Sequence, residues 1–180
     1  MVRNNRLFRY LKAGGIIMYA TESCFGIGCD PSNIKAIKKI IGLKKRNNKK
    51  NFILISASID NVSNYIKQLN KVDLKEVNKK WPGPHTWLLE SKKNCPMWLQ
   101  NNNKLALRIP SLSSCNNLCS SLGIAIVSTS ANHSGKKSLT KYRDVSRLFH
   151  KKAKIIKGRI GEEGKPSTIQ DLRTGKIIRA

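Results

Sequence analysis

Apolar residues along this chain fall into two kinds of run, short unbroken ones and longer ones spaced at three and four, and the two kinds intermix from one end to the other. Leu7, Tyr10 and Leu11 share a helical face in residues 6–13. Gly14-Gly15 then stops the helix, because glycine accepts the left-handed conformation that closes one. Residues 16–20 are apolar throughout, the pattern of a strand covered on both faces, and they run into the polar cluster Thr21-Glu22-Ser23. Asp30-Pro31-Ser32-Asn33 opens a helix in which Ile34, Ile37, Ile40 and Ile41 repeat at three and four. Lys35, Lys38 and Lys39 take its other face, and the pattern ends near Leu43.

A polar, basic connection over 44–50 precedes a second buried strand at 52–56, and weaker helical patterns cover 59–68 and 74–80. Trp81-Pro82-Gly83-Pro84 cannot continue a helix, and 85–89 reads as a strand. Residues 105–109 form a strand stopped by Pro110; 113–122 form a helix closed by Gly123. A strand at 124–127 ends in Ser128-Thr129-Ser130-Ala131-Asn132, a helix covers 141–150, and short strands close the chain at 155–156, 168–172 and 176–179. No repeat or long linker divides this pattern, so the predicted class is α/β or α+β, one domain built on a mostly buried mixed sheet. Polar clusters recur at the carboxyl ends of strands, at Thr21-Glu22, Arg108 and Ser128 to Asn132, where open α/β sheets place their ligand crevices.

Composition changes this picture in one respect. The chain has 180 residues with 35 Lys+Arg against 10 Asp+Glu, a net charge of +25. The same chain carries 25 lysines, 17 asparagines and 20 isoleucines, the excess that an AT-rich coding sequence imposes on any protein. The charge is therefore partly drift on solvated faces and partly a footprint for polyanions. Apolar runs such as residues 16–20 are far short of the roughly 20 residues that span a bilayer, and no signal core follows the basic start. A cytoplasmic protein with no membrane association is expected. Five cysteines without a secretory signal read as reduced thiols. The pairs Cys24/Cys29 and Cys115/Cys119 have spacing loosely compatible with a four-thiolate zinc site, while buried small apolar side chains are the plainer reading, and no metal ligands are assigned.

No phosphate-binding glycine loop, dinucleotide fingerprint or nucleophile elbow occurs, and His133 and His150 read as surface residues. Four constellations remain: Tyr19-Ala20-Thr21-Glu22, Lys44-Lys45-Arg46, Leu107-Arg108-Ile109-Pro110, and Ser128 to Asn132 followed by Ser134-Gly135. Each alone has a bland reading as a capped turn or a solvated basic face.

Taken in order, and with Trp81-Pro82-Gly83-Pro84-His85-Thr86, Ser167-Thr168-Ile169 and Arg179 added, these stretches resemble the YrdC/TsaC family of threonylcarbamoyl-AMP synthases over nearly the whole chain. The resemblance implies a single YrdC-like domain over 1–180, an open twisted mixed sheet flanked by helices around a basic concave groove. It also implies a reaction that joins L-threonine, bicarbonate and ATP into L-threonylcarbamoyladenylate, with release of pyrophosphate, for the threonylcarbamoyladenosine of tRNA. Carried over by position, Lys44, Arg46, Ser130 and Asn132 match the family's Lys-x-Arg and Ser-x-Asn pairs, expected to be catalytic and to face ATP. Arg179, Ser138 and Lys104 fall where ATP is contacted; Thr21, Arg108, Ser128 and Ser167 fall where threonine is held. Mg2+ is expected with ATP and without dedicated protein ligands, and tRNA and the downstream tRNA threonylcarbamoyl-transferase complex are the macromolecular partners implied.

Three departures from the family pattern stand out, two of them in the loop after Lys44. Ala20 replaces a proline in the Pro-Thr-Glu stretch, Asn47 replaces a proline after Lys-x-Arg, and Asn51-Phe52 stands where Pro-Leu is common. These remove rigidity rather than a reacting group. The competing reading is a non-catalytic tRNA or double-stranded RNA binding module, but the chain's 11 Phe, Trp and Tyr form no interleaved stacking strand. A third reading, carbamoyl-adenylate formation as in hydrogenase maturation, belongs to much longer proteins with zinc-finger and acylphosphatase portions.

Overall fold

The computed structural model describes residues 6–45 and 52–180. The helices are α1 (Arg6–Lys12), α2 (Ile34–Lys44), α3 (Lys71–Asn78), α4 (Ser113–Leu122) and α5 (Tyr142–Phe149). The strands are β1 (Ile17–Ala20), β2 (Phe25–Gly28), β3 (Ile53–Ile55), β4 (His85–Glu90), β5 (Gln100–Asn101), β6 (Lys104–Arg108), β7 (Ile126–Ser130), β8 (Lys154–Ile155), β9 (Thr168–Asp171) and β10 (Ile177–Arg179). They form one mixed sheet in the order β10-β9-β4-β6-β3-β7-β2-β1-β8, with β5 paired to β6. No helix among the described residues is long and apolar enough to cross a membrane.

The period-two alternation of the strands decides what each sheet face carries. In β1, Met18 and Ala20 enter the larger core with Ala36, Ile37 and Ile40 of α2, while Ile17 and Tyr19 enter a second core with Leu11 of α1 and Cys115, Cys119 and Leu122 of α4. Leu54 and Val127 point to the α2 side, Ile55 and Ile126 to the α4 side. Leu105, Leu107, Trp87 and Leu89 extend the larger core across β6 and β4. The smaller core has no counterpart there, so the sheet face beyond α4 is left uncovered.

Several elements differ from the sequence expectation, each for a local reason. The strand β2 was not expected. Gly26 and Gly28 lie under the Tyr19 ring, and a Cβ on Gly28 would sit 2.3 Å from the Val127 carbonyl oxygen, so this strand carries no alternating side-chain signal on that face. Residues 59–68 are not a helix. A 3-10 turn at Ile59–Val62, capped by Ser58, is followed by an isolated bridge between Ile66 and Ser91. The helix α3 starts at Lys71 because Asn70 and Asp73 form a reciprocal capping box. The strand β7 runs on through Ser128 to Ser130, and β5 arises from a two-residue turn in which Asn102 and Asn103 both hold positive φ, the twist a tight hairpin requires.

Candidate functional site

The uncovered part of the α4 face holds a cavity of about 470 Å³. Its floor follows from strand register. Ile53 pairs with Ser128, Ile55 with Arg108, and Gly26 with Ser130, so these residues lie on one face of the sheet. All six line the cavity. One wall is the β1–β2 turn, Thr21 to Cys24; a second is Pro110 with Cys115 of α4; a third is the segment Gly164 to Ser167, with Ile169 and Arg179 beyond it. The strap before Gly164 is seated on the first wall by backbone hydrogen bonds from Gly161 N to Thr21 O (3.0 Å) and from Glu163 N to Glu22 O (3.1 Å). A Cβ on Gly161 would approach Glu22 O to 2.9 Å, so the contact depends on glycine.

All four residues expected at threonine, Thr21, Arg108, Ser128 and Ser167, line this cavity, together with Ser130, Ser138 and Arg179 from the ATP set. Thr21 is fixed by donating from both N (2.9 Å) and Oγ1 (2.7 Å) to the Cys24 carbonyl. Arg108 donates from Nε to Gly83 O at 3.1 Å, and its Nη2 faces Glu22 Oε2 as an ion pair. Arg179 grips Ser167 through its carbonyl (Nε 3.0 Å, Nη2 2.7 Å) and its hydroxyl (3.1 Å), and the Ser167 hydroxyl also meets Thr86 Oγ1 at 2.8 Å. Partial burial of the guanidinium, and next the Arg108 charge, push Arg179 below the usual arginine value. Two guanidiniums that repel each other across one cavity are a site for an anion.

Lys44 and Asn132 stand behind this wall rather than on it. Lys44, in the last turn of α2, is 2% exposed. Its ammonium donates to Asn132 O (2.9 Å), to Asn132 Oδ1 (3.1 Å) and to the Ser130 carbonyl. Ser130 Oγ donates to the same Asn132 Oδ1 at 2.6 Å, and Ser134 N donates back to Lys44 O at 2.8 Å. The Lys-x-Arg and Ser-x-Asn stretches therefore meet through Lys44. Arg46 and the Asn47 and Asn51 departures lie outside the described residues. Lys104 does not line the cavity; it is ion-paired with Asp171.

The cysteines do not converge. Cys29 lies in the larger core, Cys115 and Cys119 in the smaller one on the opposite sheet face, and Cys24 on the cavity wall. Burial, and next the Asp30 charge, push Cys29 up to about 12; a hydrogen bond with Cys119, and then burial, push Cys115 up as well. Among the described residues no three His, Cys, Asp or Glu side chains gather to hold a metal ion.

Among the lining residues to which the sequence assigned no role are Glu22, Cys24 and Lys165. Glu22 was visible only as part of a polar strand end; Lys165 carries no signal among 25 lysines. Of the charged residues on the cavity, Arg108, Lys165 and Arg179 are cationic and Glu22 alone is acidic and already opposite Arg108. The remaining polar lining is largely hydroxyl, and no histidine accompanies it among the described residues. Fixed cations and hydroxyl donors with no base to activate a nucleophile suit the gathering of anionic reactants and the stabilisation of phosphate charge.

The chain is similar to known proteins over most of its length. A relative from Methylobacillus flagellatus named threonylcarbamoyl-AMP synthase is 41% identical over 179 residues, 99% of this chain and 99% of its own. The crystal structure of P. abyssi Sua5 complexed with L-threonine has a TM-score of 0.82 at 26% identity; the match covers 92% of this chain and 49% of that one, so this chain spans about half its length. E. coli YciO has a TM-score of 0.81 at 25% identity, covering 97% of this chain and 86% of its own. The family model described as telomere recombination matches residues 9–180, and by that match the chain belongs to the Sua5/YciO/YrdC family.

Proposed function

We propose that this chain is an L-threonylcarbamoyladenylate synthase, a single YrdC-like domain over residues 1–180. It makes L-threonylcarbamoyladenylate and pyrophosphate from L-threonine, bicarbonate and ATP, for the threonylcarbamoyladenosine of tRNA. The observation that carries this reading is the convergence of Thr21, Arg108, Ser128, Ser130, Ser138, Ser167 and Arg179, drawn from six separate stretches of sequence, on one cation-lined cavity. Relatives matched over 99% and 91% of their own lengths bear the synthase name.

In this reading the threonine amine condenses with bicarbonate, forming a carbon–nitrogen bond and releasing water, and the resulting carbamate attacks the α-phosphorus of ATP. A phosphorus–oxygen bond forms to the carbamate oxygen, the bond to the bridging oxygen of the β-phosphate breaks, and pyrophosphate leaves with that electron pair. Arg108 receives the threonine carboxylate, since a guanidinium offers paired donors to both oxygens. Thr21, Ser128 and Ser167 complete the amino acid site. Arg179, Ser138 and Ser130 face the nucleotide, with Lys44 and Asn132 holding Ser130 in place and Arg46 as a further phosphate cation. The only carboxylate on the described cavity wall is committed to Arg108 and α4, so the wall does not fit a protein-held metal, and Mg2+ belongs to this site only as part of its ATP substrate. A cytoplasmic setting, and delivery of the adenylate to a tRNA threonylcarbamoyl-transferase complex, follow from the same reading.

The test is pyrophosphate release by the purified protein with ATP and bicarbonate, with and without L-threonine, beside Lys44→Ala and Asn132→Ala. Threonine-dependent release that is lost in both variants supports the synthase. No threonine-dependent release, with salt-sensitive RNA binding retained, overturns it in favour of an RNA-binding module.

A further inference from the structure

Glu22 is 4% exposed, and both oxygens of its carboxylate are committed. Oε1 accepts from Ser111 N (2.8 Å), Ser111 Oγ (3.3 Å) and Leu112 N (3.4 Å). These groups lead into α4, whose N-cap residue Leu112 makes no side-chain cap of its own. The cap is therefore supplied from a turn some 90 residues away in sequence, as a negative charge at the positive end of the helix. Oε2 faces Arg108 Nη2. Through its carbonyl the same residue also receives the strap at Glu163. Arg108 is thereby held at two points, Nε on Gly83 O and Nη2 opposite Glu22, and Nη1 is left without a hydrogen-bond partner among the described residues.

We propose that Glu22 is a positioning residue that sets the Arg108 guanidinium, relative to α4 and the strap, so that its uncommitted edge meets the carboxylate of the amino acid substrate. The inference rests on the reading of Arg108 as the threonine carboxylate ligand. An arginine with several rotatable bonds reaches a carboxylate in many poses; one clamped at Nε and Nη2 reaches it in few, so less conformational freedom is lost on binding. The Glu22 and Arg108 charges compensate each other without saturating the guanidinium, which keeps donor capacity for the substrate.

The experiment is steady-state pyrophosphate release by Glu22→Gln, Arg108→Ala and the double variant, with thermal unfolding of each. Gln at position 22 keeps an oxygen for Ser111 N and Leu112 N but removes the charge opposite Arg108. The expected result for Glu22→Gln is a rise of about tenfold or more in KM for L-threonine with KM for ATP within about twofold, and no further rise when the substitution is added to Arg108→Ala. A Glu22→Gln effect that persists in full in the Arg108→Ala background, or that raises both KM values alike, overturns the positioning role. An Arg108→Ala variant with unchanged threonine KM instead refutes the reading of Arg108 itself. Should Glu22→Gln fail to fold, Glu22→Asp keeps the charge with a shorter reach; a raised threonine KM with ATP KM kept supports the role, and an unchanged threonine KM overturns it.

Discussion

Lys44 offers the sharpest perturbation, because its buried ammonium serves three oxygens of one short stretch. Replacement by methionine keeps most of the volume and removes the charge. The magnitude follows from what each oxygen retains. The Ser130 carbonyl still accepts from Asn132 N at 3.0 Å, and Asn132 Oδ1 still accepts from Ser130 Oγ at 2.6 Å. Only Asn132 O is left without a donor among the described residues. The lost charge-assisted bonds are largely offset by the desolvation of an ammonium that no longer has to be buried. What remains is about 1–3 kcal/mol for the stranded carbonyl. In a chain of this size that lowers Tm by about 3–10 °C. Turnover falls further, by about 10²–10³, the usual loss when a fixed donor arrangement around developing charge is undone. Thermal unfolding and pyrophosphate release measure the two effects on the same preparation. A Lys44→Met variant with Tm unchanged and turnover within about twofold refutes the argument that this residue organises the Ser130–Asn132 wall.

Three further outcomes are expected. Gly161→Ala forces a Cβ to within 2.9 Å of Glu22 O, so the strap must shift at a cost of about 1–3 kcal/mol; an unchanged urea midpoint would show that the strap is not seated there. Burial, and next the Lys80 charge, hold His85 below its usual value, so the folded state takes up its proton less readily than the unfolded chain. Its contribution is then fully present above about pH 6.5 and lost as pH falls from there toward the folded value, and His85→Gln should flatten the fall in urea midpoint below pH 6.5; an identical slope in both proteins would sink this account. Cys24 is the one cysteine that is not buried, and it lines the cavity, so a thiol reagent should label one equivalent rapidly and ATP with L-threonine should slow it; a second equally fast thiol, or labelling indifferent to substrates, would contradict the placement.

How far the sequence carried depended on which physical signal each element uses. β1 was legible because Ile17, Met18 and Tyr19 are apolar on both faces, and α2 because its isoleucines keep helical spacing against one core. β2 was not, since glycines occupy one whole face beneath Tyr19 and erase the alternation that marks a strand. β7 was read as ending at Val127 because hydroxyl residues look like a turn; Ser128 and Ser130 stay in the strand because that face lines a polar cavity instead of a core. At the site, residues carried by family spacing came together, whereas the contacts of Glu22 with Arg108 and α4 join distant segments that no local pattern encodes. Lys44 shows the same limit. Its position was legible, but its place behind Ser130 rather than against the cavity was not.

The order of the strands has a consequence for how this protein comes to hold its substrates. Ile17 lies beside Lys154 in β8, His85 beside Thr168 in β9, and Ile53 beside Ala106 in β6, all parallel pairings that close long stretches of chain. Such pairings lose loop entropy before they gain contacts, so folding is slow for the size of the chain. No fragment holds the walls together: Thr21 and Arg179 come from opposite ends of the chain. Substrate then binds only the fully assembled sheet, and at 100 times its Kd adds about 2.7 kcal/mol to the global unfolding free energy. Amide protons that exchange only through global unfolding, those of the central strands far from the cavity included, would slow by the same factor of about 100.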